Sequence, residues 1–125
     1  MNDPRLLLAE DDEMLASLLR YRLEKEGYLV EWVSDGRAMK ESLERTLPDI
    51  VVSDVLMPYF SGIEMVDYLR NEIKSSIPVI LISTAGNETN VLNAFELGAD
   101  DFIAKPVSPS ELMVRIHKIL KTRVA

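Results

Sequence analysis

The chain has 125 residues, 47% of them hydrophobic and 28% charged, which suits one globular domain and argues against disorder or two ordinary domains. A net charge of −7 and a pI near 4.7 make it a poor nucleic-acid binder by itself, and no apolar run approaches the ~20 residues of a membrane span. The absence of cysteine, and a start without a basic flank and apolar run, point to a cytoplasmic chain without a signal peptide.

Short apolar runs alternate with longer segments of helical period, the pattern of βαβ units on a parallel sheet. The first strand (β1) is expected at about 5–10, where Leu6-Leu7-Leu8-Ala9 is apolar throughout, as in a strand buried on both faces. A helix (α1) follows at about 13–26, with Leu15, Leu18, Leu19 and Leu23 as a core stripe and Gly27 as its C-terminal cap. Leu29-Val30-Glu31-Trp32-Val33 (β2, about 29–33) carries a charge and suits a sheet edge. Helix α2 is expected at about 36–46, and Ile50-Val51-Val52 marks a central strand (β3) at about 49–53. Ser61-Gly62-Ile63-Glu64 fits a capping box and opens α3 at about 62–73. Val79-Ile80-Leu81-Ile82 marks β4 at about 78–83, followed by α4 at about 87–97 with Gly98 as its cap. Phe102-Ile103-Ala104 lies in β5, about 101–104. Ser108-Pro109-Ser110-Glu111 opens α5 at about 109–122, whose core stripe is Leu112, Ile116, Ile119 and Leu120. No repeat, low-complexity stretch or internal linker interrupts this single five-stranded α/β domain.

Polar residues stand where four of these runs end: Asp11 with Glu10 and Asp12 beside it, Asp54, Thr84 and Lys105. Neighbouring parallel strands would bring them to one rim, outside the carboxyl ends of the strands, where open α/β sheets bind ligands. Two carboxylates ~4 Å apart at an effective dielectric near 20 repel by about 4 kcal/mol, so acids crowded there need a cation or raised pKa values. Carboxylates with a backbone carbonyl suit Mg²⁺ or Mn²⁺. Without cysteine, and with the one histidine, His117, inside the last helix, zinc does not fit. Asp54 can also act as a nucleophile toward a phosphoryl group, with the Thr84 hydroxyl and Lys105 ammonium as donors to its oxygens. Lys105 precedes Pro106, which pushes its backbone toward an extended conformation, and a cis bond there would direct the lysine inward.

The sequence resembles the receiver domain of two-component response regulators over nearly its whole length. The resemblance rests on Leu8-Ala9-Glu10-Asp11-Asp12, Ser53-Asp54-Val55-Leu56-Met57-Pro58, Ile82-Ser83-Thr84-Ala85 and Phe102-Ile103-Ala104-Lys105-Pro106, in the family's order and spacing. Gly62 and Gly98-Ala99-Asp100-Asp101 are further family marks. It implies a flavodoxin-like (βα)5 sandwich with a doubly wound parallel sheet in the order 2-1-3-4-5. It also implies one receiver domain over 1–125, with a core of about 4–122 and no output domain in this chain. Asp54 would be the phosphoacceptor. Glu10 and Asp11 would be the acidic pair for Mg²⁺, Asp11 binding directly and Glu10 through water, with Asp54 and the carbonyl of Leu56 completing the site. Asp12 reads instead as the cap of α1.

Thr84 and Lys105 would bind the phosphoryl oxygens after transfer. A shift of Thr84 would make room for Phe102 to rotate inward and alter the face formed by α4, β5 and α5. The phosphodonor would be a sensor histidine kinase or a phosphotransfer protein, and an output domain or downstream protein would read the altered face. Such a domain modifies itself and is not a turnover enzyme.

Some positions depart from the family's habits. Leu56 and Gly86, two residues after Asp54 and Thr84, lack polar side chains that would place an attacking water, which predicts slow self-dephosphorylation. Glu96, Asp100, Asp101, Glu111 and Arg115 resemble parts of the charged dimer seam of winged-helix regulators. However, Asn87 to Gly98 contains no lysine or arginine, which points to a monomer or a weak phosphorylation-dependent dimer. Tyr59 and Phe60 could form a kinase-docking edge, although Phe60 reads as loop packing. A phosphohydrolase with an aspartyl-phosphate intermediate would need a second aspartate two residues after the nucleophile, where Leu56 stands. A degenerate receiver serving only as an interaction module would lack chemical residues that are all present here.

Overall fold

The computed structural model describes residues 3–84 and 88–124. Its element order is β1 (Arg5–Ala9), α1 (Glu13–Lys25), β2 (Leu29–Val33), α2 (Gly36–Arg45), β3 (Ile50–Asp54), α3 (Gly62–Asp67), β4 (Val79–Ser83), α4 (Glu88–Leu97), β5 (Asp101–Ala104) and α5 (Pro109–Val124). All strand pairings are parallel and the order across the sheet is β2-β1-β3-β4-β5, as the resemblance implied.

Alternation along the strands divides the core into two layers. Leu6, Leu8, Ile50, Val52, Ile80, Ile82 and Ile103 face α1 and α5, where Ala16, Leu19, Leu23, Leu112 and Ile116 cover them. Leu7, Ala9, Val51, Val79 and Leu81 face the other way, against Met39, Leu43, Met65, Val66, Leu69 and Ala94. The expected α1 stripe needs one correction, because Leu18 is 48% exposed. It stands five residues before Leu23, about 140° round a helix of 3.6 residues per turn, and so points away from the sheet.

Helix punctuation follows the sequence. Asp12 caps α1 by accepting from the Leu15 amide, and Ser61 and Glu64 form the reciprocal capping box of α3. Gly27 and Gly98 adopt φ of +96° and +118° after α1 and α4, the left-handed conformation that glycine adopts freely. Helix α3 is shorter than the expected 62–73. After Asp67 it widens into a π-helical turn over Tyr68–Glu72, closed by the Ile73 amide donating to the Tyr68 carbonyl at 3.0 Å. At the start of α5, Ser108 accepts from the Glu111 amide, while the Glu111 carboxylate lies 3.4 Å from Arg115.

Gly62 ties this framework to the rim. A Cβ at that position would lie 2.5 Å from the Asp54 carbonyl oxygen, so no larger residue fits without moving the strand end. Gly62→Ala is expected to cost at least the ~1–3 kcal/mol typical of overpacking. Gly27→Ala meets nothing within 4 Å and carries only the penalty of its positive φ, about 1 kcal/mol. Urea unfolding of the two variants checks the order, and an equal or smaller loss for Gly62→Ala would contradict it.

Candidate functional site

The parallel register sets Ala9 beside Ser53, Asp54 beside Ile82, and Ser83 beside Ala104. Glu10, Asp11, Asp54, Thr84 and Lys105 consequently emerge together at the carboxyl ends of β1, β3, β4 and β5. Asp11, Asp54, Leu56, Thr84 and Lys105 line a cleft of about 210 Å³. Glu10 is fully buried beneath it, Asp54 is 4% exposed, and Asp11 reaches solvent.

Carboxylate oxygens of Glu10, Asp11 and Asp54 all lie within 4.8 Å of one another. At that separation three full charges repel strongly. Lys105, which follows β5 and precedes a cis peptide bond to Pro106, answers part of the repulsion. Its ammonium donates to Asp54 Oδ2 at 3.1 Å and lies 3.5 Å from Glu10 Oε2. The Asp12 amide donates to the same Glu10 oxygen at 3.0 Å.

The other oxygen of Glu10, Oε1, is buried and accepts from no donor among the described residues; it is paired only if it carries a proton and donates it to Asp54. Burial foremost, then hydrogen bonding to Asp54 and repulsion from its charge, push Glu10 from an ordinary 4.5 up to about 8; the Asp12 amide and Lys105 pull the other way. For Lys105, burial acts to lower the ammonium, but the hydrogen bond and charge of Asp54, with the charge of Glu10, outweigh it and leave it raised.

This all-oxygen donor set fits a hard divalent cation. The orphaned Oε1, the crowding of the acids and the opening of the cleft at Asp11 each meet what such an ion needs.

The remaining predicted residues divide into two groups. The side chain of Leu56 is 63% exposed beside the cleft, and Thr84 is exposed on its wall. Phe102 lies elsewhere: it lines a crevice with Leu81, Val91, Ala94, Phe95 and Ala99 on the α4 side of the sheet. Gly86 falls outside the described residues.

Of the residues compared with a dimer seam, Asp101 pairs with Arg115 at 2.7 Å within the chain. Asp100 accepts from Arg70 at 3.1 Å and from the Val79 amide at 2.8 Å, which fastens the start of β4. Sequence reasoning missed two neighbours of the acids. The indole of Trp32, the one tryptophan, donates to the Glu10 carbonyl at 2.8 Å, and the buried Ser53 hydroxyl donates to the Asp54 carbonyl at 2.9 Å. The only available signal was the charge on β2, which read as an edge; nothing local reveals that Leu8 and Trp32 share a register position.

Fold and rim together define a doubly wound α/β domain built around a carboxylate and lysine cluster at its switch point. The sequence pattern of the response regulator receiver domain matches residues 6–117, and the chain belongs to that family. It is 37% identical over 117 residues to the alkaline phosphatase synthesis transcriptional regulatory protein PhoP of Bacillus subtilis, covering 94% of this chain and 48% of that protein. It is 36% identical over 119 residues to the phosphate regulon transcriptional regulatory protein PhoB of Rhizobium meliloti, covering 94% of this chain and 52% of that one. The chain thus spans about half the length of the curated relatives it matches.

Among solved structures it resembles the signal receiver domain of a signal transduction histidine kinase from Syntrophus aciditrophicus. That likeness has a TM-score of 0.86 and 35% identity, over 95% of this chain and 91% of that one. A CheY-like receiver protein from Methanospirillum hungatei, at TM-score 0.90 and 24% identity over 97% and 96% of the two chains, shares the fold. Receiver domains are the phosphoacceptor modules of two-component signalling, and that is the class of this chain. Among the described residues no helix is long and apolar enough to cross a membrane.

The raised Glu10 value has a consequence for stability. The folded state holds the Glu10 proton up to about pH 8, whereas the unfolded chain releases it near 4.5, so the folded state binds more protons between those values. In chelator, unfolding stability is expected to fall as pH rises from about 4.5 to about 8, and Glu10→Gln should remove that part of the slope. Urea midpoints across this pH window, with EDTA present, check it; an identical slope in Glu10→Gln would refute the assignment.

Proposed function

We propose that this domain is a Mg²⁺-dependent phosphoacceptor switch that takes a phosphoryl group from a phosphohistidine onto Asp54. The observation that carries the reading is the meeting of Glu10, Asp11 and Asp54 within 4.8 Å, with the Lys105 ammonium 3.1 Å from Asp54. Glu10, Asp11, Asp54 and the Leu56 carbonyl would hold Mg²⁺ or Mn²⁺, which would neutralise charge on the transferring oxygens and help orient them.

The chain's own groups do the rest. Lys105 holds Asp54 through Oδ2, leaving the other carboxylate oxygen to approach phosphorus in line with the donor's bond. An O–P bond forms, the P–N bond of the phosphohistidine breaks, and the electron pair leaves on the imidazole nitrogen, which recovers a proton by exchange with solvent. Lys105 then exchanges its Asp54 contact for a phosphoryl oxygen, and the Thr84 hydroxyl donates to another. Movement of Thr84 toward the phosphate clears space for Phe102, whose crevice under α4 carries the change to the α4, β5 and α5 face.

That face exposes Leu92, Phe95 and Val114 and is the proposed contact for an output domain or downstream protein. A monomer or a weak phosphorylation-dependent dimer suits it, because Arg115 already engages Asp101 and Glu111 within the chain. The switch is not a turnover enzyme, and its place in the cell is proposed to be the cytoplasm, where sensor kinases and phosphotransfer proteins present their phosphohistidines.

Incubation with acetyl phosphate or phosphoramidate and Mg²⁺ is expected to add a single phosphoryl group by intact mass. The addition should be lost in Asp54→Asn and in chelator; unchanged mass for the natural chain would overturn the reading and favour an interaction module.

Leu56 carries a second expectation. Its apolar side chain beside the cleft cannot place a water, so Leu56→Asn should shorten the phosphoryl lifetime severalfold while keeping the backbone carbonyl. Loss of the phosphoryl mass after removal of donor measures this. A half-life of seconds in the natural chain would contradict slow self-dephosphorylation.

A further inference from the structure

Tyr59 follows the phosphoacceptor by five residues and adopts a φ of +73°. The left-handed region is one that a bulky aromatic residue rarely enters. The Phe60 amide donates to the Pro58 carbonyl at 2.9 Å, so Tyr59 is the centre of a positive-φ γ-turn, the rare and strained kind. Such a backbone persists only where its surroundings hold it.

The first turn of α2 supplies that hold. The Gly36 amide donates to the same Pro58 carbonyl at 2.8 Å, and a Cβ on Gly36 would fall 2.1 Å from the Phe60 carbonyl oxygen, so the helix approaches this closely only as glycine. The Arg37 guanidinium lies 4.3 Å over the Tyr59 ring. One turn on, the Lys40 ammonium lies 5.5 Å over the Phe60 ring and 5.3 Å over that of Tyr68, whose edge meets Phe60 at 5.9 Å. On the opposite side of the loop, the Val55 amide donates to the Ile82 carbonyl and the Gly62 amide to the Val55 carbonyl, both at 2.9 Å. Leu56 and Met57 are thus strung between a fixed Val55 and a fixed Pro58.

We propose that Arg37 and Tyr59 are positioning residues for the cation: their contact locks the strained turn that sets the direction of the Leu56 carbonyl. The inference rests on the reading of that carbonyl as a ligand. Tyr59 is 72% exposed and its ring lies against Arg37 rather than the acid cluster, so its action runs through the backbone. A tyrosine free of this task would gain nothing from the left-handed region that asparagine or glycine would not give at lower strain. The ring matters because it is what Arg37 grips.

The test uses the whole chain and two readouts: Mg²⁺ binding to the unphosphorylated protein, by calorimetry or Trp32 fluorescence, and the Mg²⁺ dependence of phosphorylation by acetyl phosphate. Arg37→Gln and Tyr59→Leu should each weaken Mg²⁺ binding about threefold, the scale of an exposed cation–π contact. The phosphorylation rate at saturating Mg²⁺ should remain that of the natural chain, which separates positioning from a general loss of fold. The double variant should be no weaker than either single one, and Arg37→Lys and Tyr59→Phe should restore binding.

Natural Mg²⁺ affinity in Arg37→Gln and Tyr59→Leu overturns the proposal, as do losses that simply add in the double variant. A natural chain that binds Mg²⁺ but takes no phosphoryl group overturns the proposed function instead. Weaker Mg²⁺ binding in the single variants of such a chain would still support the positioning role.

Discussion

Like charges crowded onto one rim are the condition to which the rest of this domain responds. A parallel sheet in the order β2-β1-β3-β4-β5 ends its central strands side by side, so the acids after β1 and at the end of β3 cannot avoid one another. Burial sharpens the conflict, because Glu10 is wholly withdrawn from water and Asp54 nearly so. The chain answers with one ammonium from β5's end, the Asp12 amide and a Glu10 carboxyl whose ionisation is pushed up to about 8. Each answer is partial. Lys105 sits nearer Asp54 than Glu10, and Glu10 keeps an oxygen unmatched.

Much of this was legible in the sequence because it is local. Continuous apolar runs announced buried strands, and the strand ends matched those expected to within a residue. Ser61 and Glu64, Asp12, Gly27 and Gly98 announced helix ends through short-range chemistry that survives in the fold. What escaped was through-space. Trp32 reaches Glu10 across a strand pairing, and Arg37 meets Tyr59 across 22 positions of chain. Leu18 was misread because a stripe of leucines looks continuous in sequence, while the helix turns one of them outward. The π-helical turn after Asp67 has no signature in Tyr68-Leu69-Arg70-Asn71-Glu72, whose residues suit an ordinary helix. It leaves Arg70 donating to the Gly98 carbonyl and to Asp100, binding the end of α3 to the start of β5.

Among the described residues, the two sides of the site are lined by different kinds of contact. Toward α2, the loop after Asp54 is fixed by backbone hydrogen bonds, a glycine contact and stacked cations. Toward α4, the wall is Thr84 on the surface and Phe102 in a crevice lined by Leu81, Ala94 and Phe95. Apolar contacts of that kind are non-directional and tolerate sliding better than the hydrogen-bonded side does. This contrast is in keeping with the proposed route from Asp54 through Thr84 and Phe102 toward α4 and β5.

Charge counting makes the divalent cation a requirement of the proposed reaction. With every acid ionised, Glu10, Asp11 and Asp54 against Lys105 leave the rim with a formal charge of −2. Replacing the aspartate charge by an acyl phosphate dianion would deepen it to −3, and a bound Mg²⁺ would bring it to −1. At an effective dielectric near 20 and ~4 Å, each uncompensated unit pair is worth about 4 kcal/mol, more than an ordinary hydrogen bond returns. A second lysine would also relieve the phosphorylated rim, but it would neutralise Asp54 in the resting state and blunt its nucleophilicity. Thr84 avoids that conflict: a hydroxyl donates to a phosphoryl oxygen without adding charge beforehand. In the proposed reaction its attraction to the rim would rise when phosphate arrives, which is the differential contact a two-state switch needs.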